Sequence, residues 1–433
     1  MDAPESAQLY RPRRPRDSPL WRLTEEHLEP FKRVYDDRFA SRYGFWRSEI
    51  ERTLLGFLDC GLPESAGFAR VRCPLCRHEF LLALSCKMRG FCASCHAKRS
   101  VLWAEWLTEE VLLPVRHLQW VFTIPKRLRI FFLYDRSLLG DLARCTWTTV
   151  RDLYRAGLQD HPSVPGMVVS IQTHGNLANW QPHIHALVTA GLVHRDGDFT
   201  PVDPPPSEVA EQLFRRRVLQ MLVRRRKLDE DTAASLLSWQ HSGFSVHHQV
   251  KVDPGDTAGI ERLARYLVHP PIALDRLHVP GGEAPCTYRG SRPHPHTGED
   301  TIVLDPLEML ARLCQHIPPP GLHMTRLYGA YSSRTRAARA RRLASSQGRS
   351  APAGESTPET LTASQLERRR AWARLIKKVF EASPLTCPKC SAEMRIVAFI
   401  LDPRVIRKIL EHLRNVAARA HGPPAAGAAR PAS

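Results

Sequence analysis

Residues 166–193 read GMVVSIQTHGNLANWQPHIHALVTAGLV. Two apolar runs, GMVVSIQTHG (166–175) and HIHALVTAGLV (183–193), flank a polar loop at 176–182. That is the pattern of two antiparallel strands joined as a hairpin. The second strand opens on His183 and His185. In a strand, residues i and i+2 project from one face, with backbones about 6–7 Å apart. Both imidazoles can therefore converge on one cation while Ile184 turns to the core. The first strand offers Gln172 and His174 as its only good ligand types, on a shared face. Gln172 as third ligand makes a mixed nitrogen–oxygen site suited to Mg2+ or Mn2+. Such a site can polarise a phosphate oxygen. Spacing alone leaves a second reading open, a surface or hydrogen-bonded pair of strand histidines. The chain has 20 histidines, and a second H-x-H, His294 and His296, sits in a Pro-rich loop.

Outward from the hairpin, LQWVFTI (118–124) reads as a buried strand stopped by Pro125, and GFSVHHQVKV (243–252) as a third strand. Helical periodicity marks about 100–113, 135–160, 207–228 and 258–268, the last ended by Pro270 and Pro271. Strands alternating with helices over 115–335 predict a layered α+β domain. Residues 25–60 carry apolar positions at helical steps. Residues 68–99 form a compact cysteine-rich unit. The division that follows is a disordered arm (1–24), a helical and zinc-binding domain (25–112), a catalytic domain (113–333), a basic low-complexity linker (334–364) and a C-terminal CxxC module (365–420).

The formal charge is +18, from 62 Lys and Arg against 44 Asp and Glu. Such an excess calls for a polyanionic partner, nucleic acid first. No segment approaches the roughly 18 uninterrupted apolar residues of a membrane helix, and the N-terminus has no apolar signal-peptide core. The expected compartment is the cytoplasm. There, 11 cysteines argue for metal ligands rather than disulfides. CPLC (Cys73, Cys76) and CASC (Cys92, Cys95) are separated by fifteen residues, which predicts one structural zinc on four thiolates. Cys60, His78, Cys86 and His96 lie near enough to replace a ligand or hold a second ion. The isolated CPKC (Cys387, Cys390) has three readings: half of a zinc knuckle, a partner for cysteines elsewhere, or buried thiols. LFRRRVLQMLVRRRKL (213–228) puts Arg215, Arg216, Arg224 and Arg225 on a helix as candidate DNA-backbone contacts. Lys126 and Arg127 follow the strand 118–124 and are nearer the histidines in sequence. The bland alternative for the arginines is a solvated helix face.

Taken together, GFARVRCPLCRHEFLLALSCKMRGFCASCHAKR, QTHGNLANWQPHIHALVTAG, HSGFSVHHQVKVDPGDTAGIERLARYLVHPP and TCPKCSAEMRIVAFILDPRVIRKILEHL resemble the HUH-type rolling-circle transposases of the insertion sequence 91 family. The resemblance covers most of residues 50–415, in the family's order. It implies a zinc-binding domain followed by an HUH-nuclease-like antiparallel sheet with flanking helices. It further implies a DNA strand transferase with a tyrosine nucleophile and a divalent cation on His183 and His185. Its substrate would be single-stranded or locally melted element ends in the bacterial nucleoid. Tyr266, in IERLARYLV, matches the nucleophile. Its bland alternative is a core residue between Leu263 and Leu267, and Tyr288, Tyr328 and Tyr331 are the rival tyrosines. Some members carry a second tyrosine four residues on. Here that position is Pro270, which implies a single-tyrosine enzyme. Two other readings share parts of this pattern: a relaxase or replication initiator with the same chemistry, and a non-enzymatic zinc-dependent DNA-binding regulator.

Overall fold

Eighteen elements carry the argument. In chain order they are α1 (Pro19–Arg38), α2 (Ser48–Leu58), β1 (Phe68–Arg72), β2 (Glu79–Ala83), α3 (Ala93–Trp106) and β3 (His117–Thr123). Then come α4 (Leu138–Arg155), β4 (Gly166–His174), β5 (Trp180–Thr189), α5 (Ser207–Arg224), α6 (Glu230–Ser238) and β6 (Ser245–Val252). The last six are α7 (Thr257–Leu267), α8 (Pro306–Cys314), β7 (Thr325–Gly329), α9 (Ser333–Ser346), β8 (Arg395–Ile400) and α10 (Pro403–Ala420). The computed structural model describes residues 8–9, 14–156, 163–293, 298–346, 382–383 and 385–420. His294 and His296, the rest of the expected linker, and the tail from 421 lie outside the described residues.

The chain divides into two compact units, one of residues 16–57 and 87–362, the other of 1–15, 58–86 and 363–433. The first unit is built on a five-stranded sheet of order β7-β4-β5-β3-β6. Every neighbouring pair is antiparallel, as the α+β reading expects. The hairpin is β4 and β5, and the histidine strand β5 is the middle strand. Gln172 stands opposite His183 and Ser170 opposite His185 on β4; Thr123 and Val121 stand opposite the same two histidines on β3. Residues of one parity thus share a face across three strands.

Both faces are covered by helices, which explains why β4 is buried along eight of its nine residues. One face carries Trp120, Phe122, Met167, Val169, Ile171, Ile184, Ala186 and Val188, packed under α4 and α5. The other carries Val168, Leu187 and Val252, packed under α3 and α7. Ile184 is fully buried in the first layer, so His183 and His185 belong to the second. The turn between β4 and β5 is closed by Gly175 N–H donating to Asn179 O at 2.9 Å. A Cβ at Gly175 would stand 2.5 Å from the Asn179 side chain, so a larger residue would have to displace the Asn179 amide.

In the other unit, β8 pairs antiparallel with β1, and β1 with β2. Ala69, Val71, Leu82, Met394 and Ile396 form its core. The expected C-terminal module is therefore not separate: its strand completes a sheet begun more than three hundred residues earlier. Two further expectations shift. Residues 19–24 are helical, not a loose arm, because Leu20 and Leu23 are fully buried. Residues 333–346 are helical, α9, despite their low-complexity composition. The edge strand β7 is absent from the sequence reading, since TRLYG is short and half-buried throughout.

Two buried histidines away from the paired strand residues hold the fold neutral. His316 Nε2–H donates to Ala178 O at 2.9 Å and its Nδ1 takes the Thr173 hydroxyl at 3.1 Å. Burial pushes its pKa down to about 3. His117 meets the Tyr331 hydroxyl at 2.5 Å, and burial pushes its pKa down to about 4. An unfolded histidine titrates near 6.5, so between that value and 4 the unfolded chain takes up protons that the folded chain refuses. Stability is accordingly full above pH 7 and falls as pH drops through 6.5. Denaturant midpoints at pH 7.5, 6.5 and 5.5 should decrease in that order, and His316→Gln should flatten the decrease. A midpoint independent of pH over this range would contradict the assignment.

Candidate functional site

The site is assembled by β5 and α7. His183 and His185 alternate with buried Ile184, so the pleat turns both imidazoles to the α7 side of the sheet. Their Nε2 atoms lie 3.1 Å apart. His183 Nδ1–H donates to Gln181 O at 2.7 Å, which leaves Nε2 with its lone pair facing His185. The Gln119 side-chain amide meets His185 Nδ1 at 3.2 Å. Burial pushes His183 down to about 4 and His185 down to about 3. Both are neutral at physiological pH, the form in which imidazole binds a metal.

Helix α7 begins at Asp256, whose carboxylate accepts from Gly259 N–H at 2.8 Å, an N-cap. It ends ahead of Pro270 and Pro271, which cannot continue it. Leu263, Ala264 and Leu267 are buried against the sheet, whereas Tyr266 is 48% exposed. The core alternative for Tyr266 is thereby excluded. Its ring stands edge-on to His185, centroids 5.2 Å apart, and stacks on His269 at 5.3 Å. The rivals are elsewhere: Tyr288 and Tyr331 are buried, with their hydroxyls bonded to Ala273 N–H and Leu113 N–H. Tyr328 stacks on Trp147.

The last carbonyls of a helix have no partners within it, and here the surrounding elements supply them. Ser170 Oγ donates to Leu267 O, and Gln172 Nε2 donates to the same oxygen at 3.2 Å. From α3, Ser100 Oγ donates to Val268 O at 2.8 Å and His96 Nε2–H donates to it at 2.5 Å. His96 thus anchors the end of the tyrosine helix, and it belongs to no group of possible metal ligands among the described residues. Gln172 keeps its place opposite His183 and also anchors α7, a role its sequence position did not suggest. His269 was missed by sequence reasoning, although its place three residues after Tyr266 and before a proline was the available signal. Its Nδ1–H donates to Tyr266 O at 2.9 Å, and its Nε2 lies 2.8 Å from His174 Nε2. Past a break in register between Gln172 and His174, His174 faces His269.

The four cysteines expected to share one zinc do not come together. Cys73 and Cys76 group instead with Cys387 and Cys390, the four sulfurs within 4.8 Å of one another. The physical reason is strand β2, which carries the chain away from Cys76 before Cys92 and Cys95 are reached. Five residues of strand span roughly 16 Å, far more than ligands of one ion allow. Four thiols at this separation suit a tetrahedral zinc.

The basic residues also sort themselves. Arg215 donates to Leu236 O and, at 2.9 Å, to Trp239 O, so it ties α5 to α6. Arg216, Arg224 and Arg225 are exposed, but α5 packs on the sheet face opposite the histidines. Arg225 is paired with Asp141 at 2.6 Å. Lys126 and Arg127 follow β3 just beyond Thr123, the residue opposite His183. They mark the histidine end of the sheet, and Arg127 lies over the exposed Trp239 ring at 5.7 Å.

His183, His185 and Tyr266 fall within a stretch that is similar to transposases, and the first cysteine pairs fall within a second such stretch. Residues 166–339 match the family described as "Putative transposase", and residues 31–124 match the transposase zinc-binding domain. Among individual proteins, the chain is 26% identical over 352 residues to the transposase for insertion sequence element IS801 of Pseudomonas savastanoi pv. phaseolicola, covering 75% of this chain and 77% of that one. It is 25% identical over 389 residues to the "Putative transposase y4qJ" of Sinorhizobium fredii, covering 86% and 94%. No solved structure matches the chain. Among the described residues, no helix is long and apolar enough to cross a membrane.

The α3–α7 bridge can be tested directly. Replacing both His96 and Ser100 by alanine leaves Val268 O without its donors, and should cost about 1–3 kcal/mol. Urea denaturation of the double variant against wild type measures it, and an unchanged midpoint would show that the bridge carries nothing.

Proposed function

We propose that this transposase cuts and rejoins DNA through a 5′-phosphotyrosine on Tyr266, with Mg2+ or Mn2+ held by His183, His185 and Gln172. The observation that carries the reading is Tyr266, exposed on α7 with its ring 5.2 Å from that of His185. The donor set fits a cation: two nitrogens about 2.1 Å from one ion and at right angles stand about 3.0 Å apart, and the Nε2 atoms stand 3.1 Å apart. Gln119 Nε2–H donates to His185 Nδ1 at 3.2 Å, and rotation of that amide to present its oxygen to Nδ1–H would free the His185 Nε2 lone pair for the cation. When bound, the cation supplies charge stabilisation at the phosphate oxygens.

The remaining steps belong to the chain. Tyr266 Oη attacks the scissile phosphorus, the P–O3′ bond breaks, the phenolic proton is lost and the departing 3′ oxygen gains one. The phosphoester energy stays in the covalent link, so a 3′-OH rejoins the strand without ATP. The bonds to Leu267 O and Val268 O hold the end of α7 against the sheet and so place the phenol. Position 270, four after Tyr266, is a proline beyond the end of α7, which supports a single-tyrosine enzyme. The substrate is DNA that is single-stranded or melted at the element ends, in the nucleoid. Lys126 and Arg127 are the backbone contacts closest to the chemistry, and Arg216, Arg224 and Arg225 serve DNA further away.

Cleavage of single-stranded oligonucleotides carrying the element ends, with Mg2+ or Mn2+, tests this. Wild type should form a covalent protein–DNA adduct. Tyr266→Phe should form none, and His183→Ala with His185→Ala should slow cleavage at least about 10³-fold. An adduct formed by Tyr266→Phe would remove the nucleophile assignment. Sequence-dependent binding without any cleavage would favour the regulator reading.

A further inference from the structure

Cys73-Pro74-Leu75-Cys76 and Cys387-Pro388-Lys389-Cys390 are separated by most of the chain, yet their two turns are built alike. Cys73 N–H donates to His78 O at 2.8 Å, and Cys387 N–H donates to Ala392 O at 2.9 Å. Arg77 N–H returns to Cys73 O at 3.1 Å, and Ser391 N–H to Cys387 O at 2.9 Å. The residue after each pair is left-handed, with φ of 58° at Arg77 and 57° at Ser391. Non-glycine residues adopt that conformation only where the surroundings enforce it. Two such turns, each presenting two thiols, are halves of a tetrathiolate cage.

Pairing of β8 with β1 brings the halves together, with Arg395 opposite Arg72. Cys73 Sγ lies 3.5 Å from Cys390 Sγ, and Cys76 Sγ lies 3.4 Å from Cys387 Sγ. All four sulfurs fall within 4.8 Å of one another. Sulfurs about 2.3 Å from a tetrahedral zinc stand about 3.8 Å apart. None of the four is in a disulfide. Cys387 and Cys390 lie outside residues 31–124, the stretch that matches the zinc-binding domain.

We infer that Cys73, Cys76, Cys387 and Cys390 together bind one zinc ion that fastens the C-terminal strand to the cysteine-rich hairpin. Binding replaces four S–H bonds by four S–Zn bonds and releases the protons, with no change of oxidation state. The resulting centre carries two negative charges, and Arg77 and Lys389 stand beside its ligands in sequence. Residues 87–362 belong to the other unit, so they form an insertion between the halves of this site. The cage is complete only after the whole insertion has been synthesised. A chain that stops short of residue 387 leaves Cys73 and Cys76 without their partners.

The test is zinc content by mass spectrometry together with N-ethylmaleimide labelling of the full-length protein, mapped by peptide. All four cysteines should resist labelling in the native protein and become reactive together once a chelator removes zinc. A Cys387→Ser, Cys390→Ser double variant should lose one zinc ion per chain and expose Cys73 and Cys76, three hundred residues away. Cys387→His keeps a ligand and should retain the zinc, which separates loss of the site from misfolding. If Cys387 and Cys390 in wild type label as fast as free thiols while Cys73 and Cys76 stay protected, the shared site is wrong. Undiminished zinc in the double variant would overturn it equally. Neither readout involves DNA cleavage, so the result is independent of the role of Tyr266.

Discussion

The pairing of Gln172 with His183 across β4 and β5 is the constraint on which the site depends. Side chains alternate faces with a period of two, so a slip of one residue would send both histidines into the layer under α4 and α5. There they would replace Ile184 among Trp120, Phe122 and Phe214. Ile184 therefore specifies the register as firmly as the histidines use it. Because helices cover both faces, that slip would bury polar groups without partners, at a cost of several kcal/mol.

Given that register, α7 is positioned by two different physical means. Leu263, Ala264 and Leu267 pack against Val168 and Leu187, which sets the distance of the helix from the sheet but not its rotation or axial position. The donors from Ser170, Gln172, His96 and Ser100 to Leu267 O and Val268 O are directional. They fix how the helix end is turned, and with it which way Tyr266 faces. The exposed ring of Tyr266 between buried leucines follows from that rotation.

Much of this was legible in the chain. The apolar runs flanking 176–182 marked the hairpin, Pro125, Pro270 and Pro271 marked ends of elements, and alternation placed Ile184 opposite in sense to the histidines. These are local signals, decided within a few residues by pleat, helical period and proline chemistry. The misses are non-local. TRLYG has no strong pattern and becomes β7 only because β4 offers an unpaired edge. The arginines of 213–228 look uniform in sequence, but Arg215 alone is consumed by carbonyls at the end of α6 and beyond.

The cysteines show the division most plainly. The sequence by itself determined that paired thiols at two-residue spacing would form metal-binding turns, because a C-x-x-C turn is a local structure. It also determined the histidine pair and the tyrosine helix, for the same reason. Only the tertiary structure decided which turns come together. Strand β2 carries the chain away from Cys76 before Cys92 and Cys95 are reached, and antiparallel pairing of β8 with β1 carries Cys387 and Cys390 to Cys73 and Cys76. Ligand sets depend on distances of a few ångströms, and those are fixed by strand pairing between residues far apart in the chain, which no local pattern encodes.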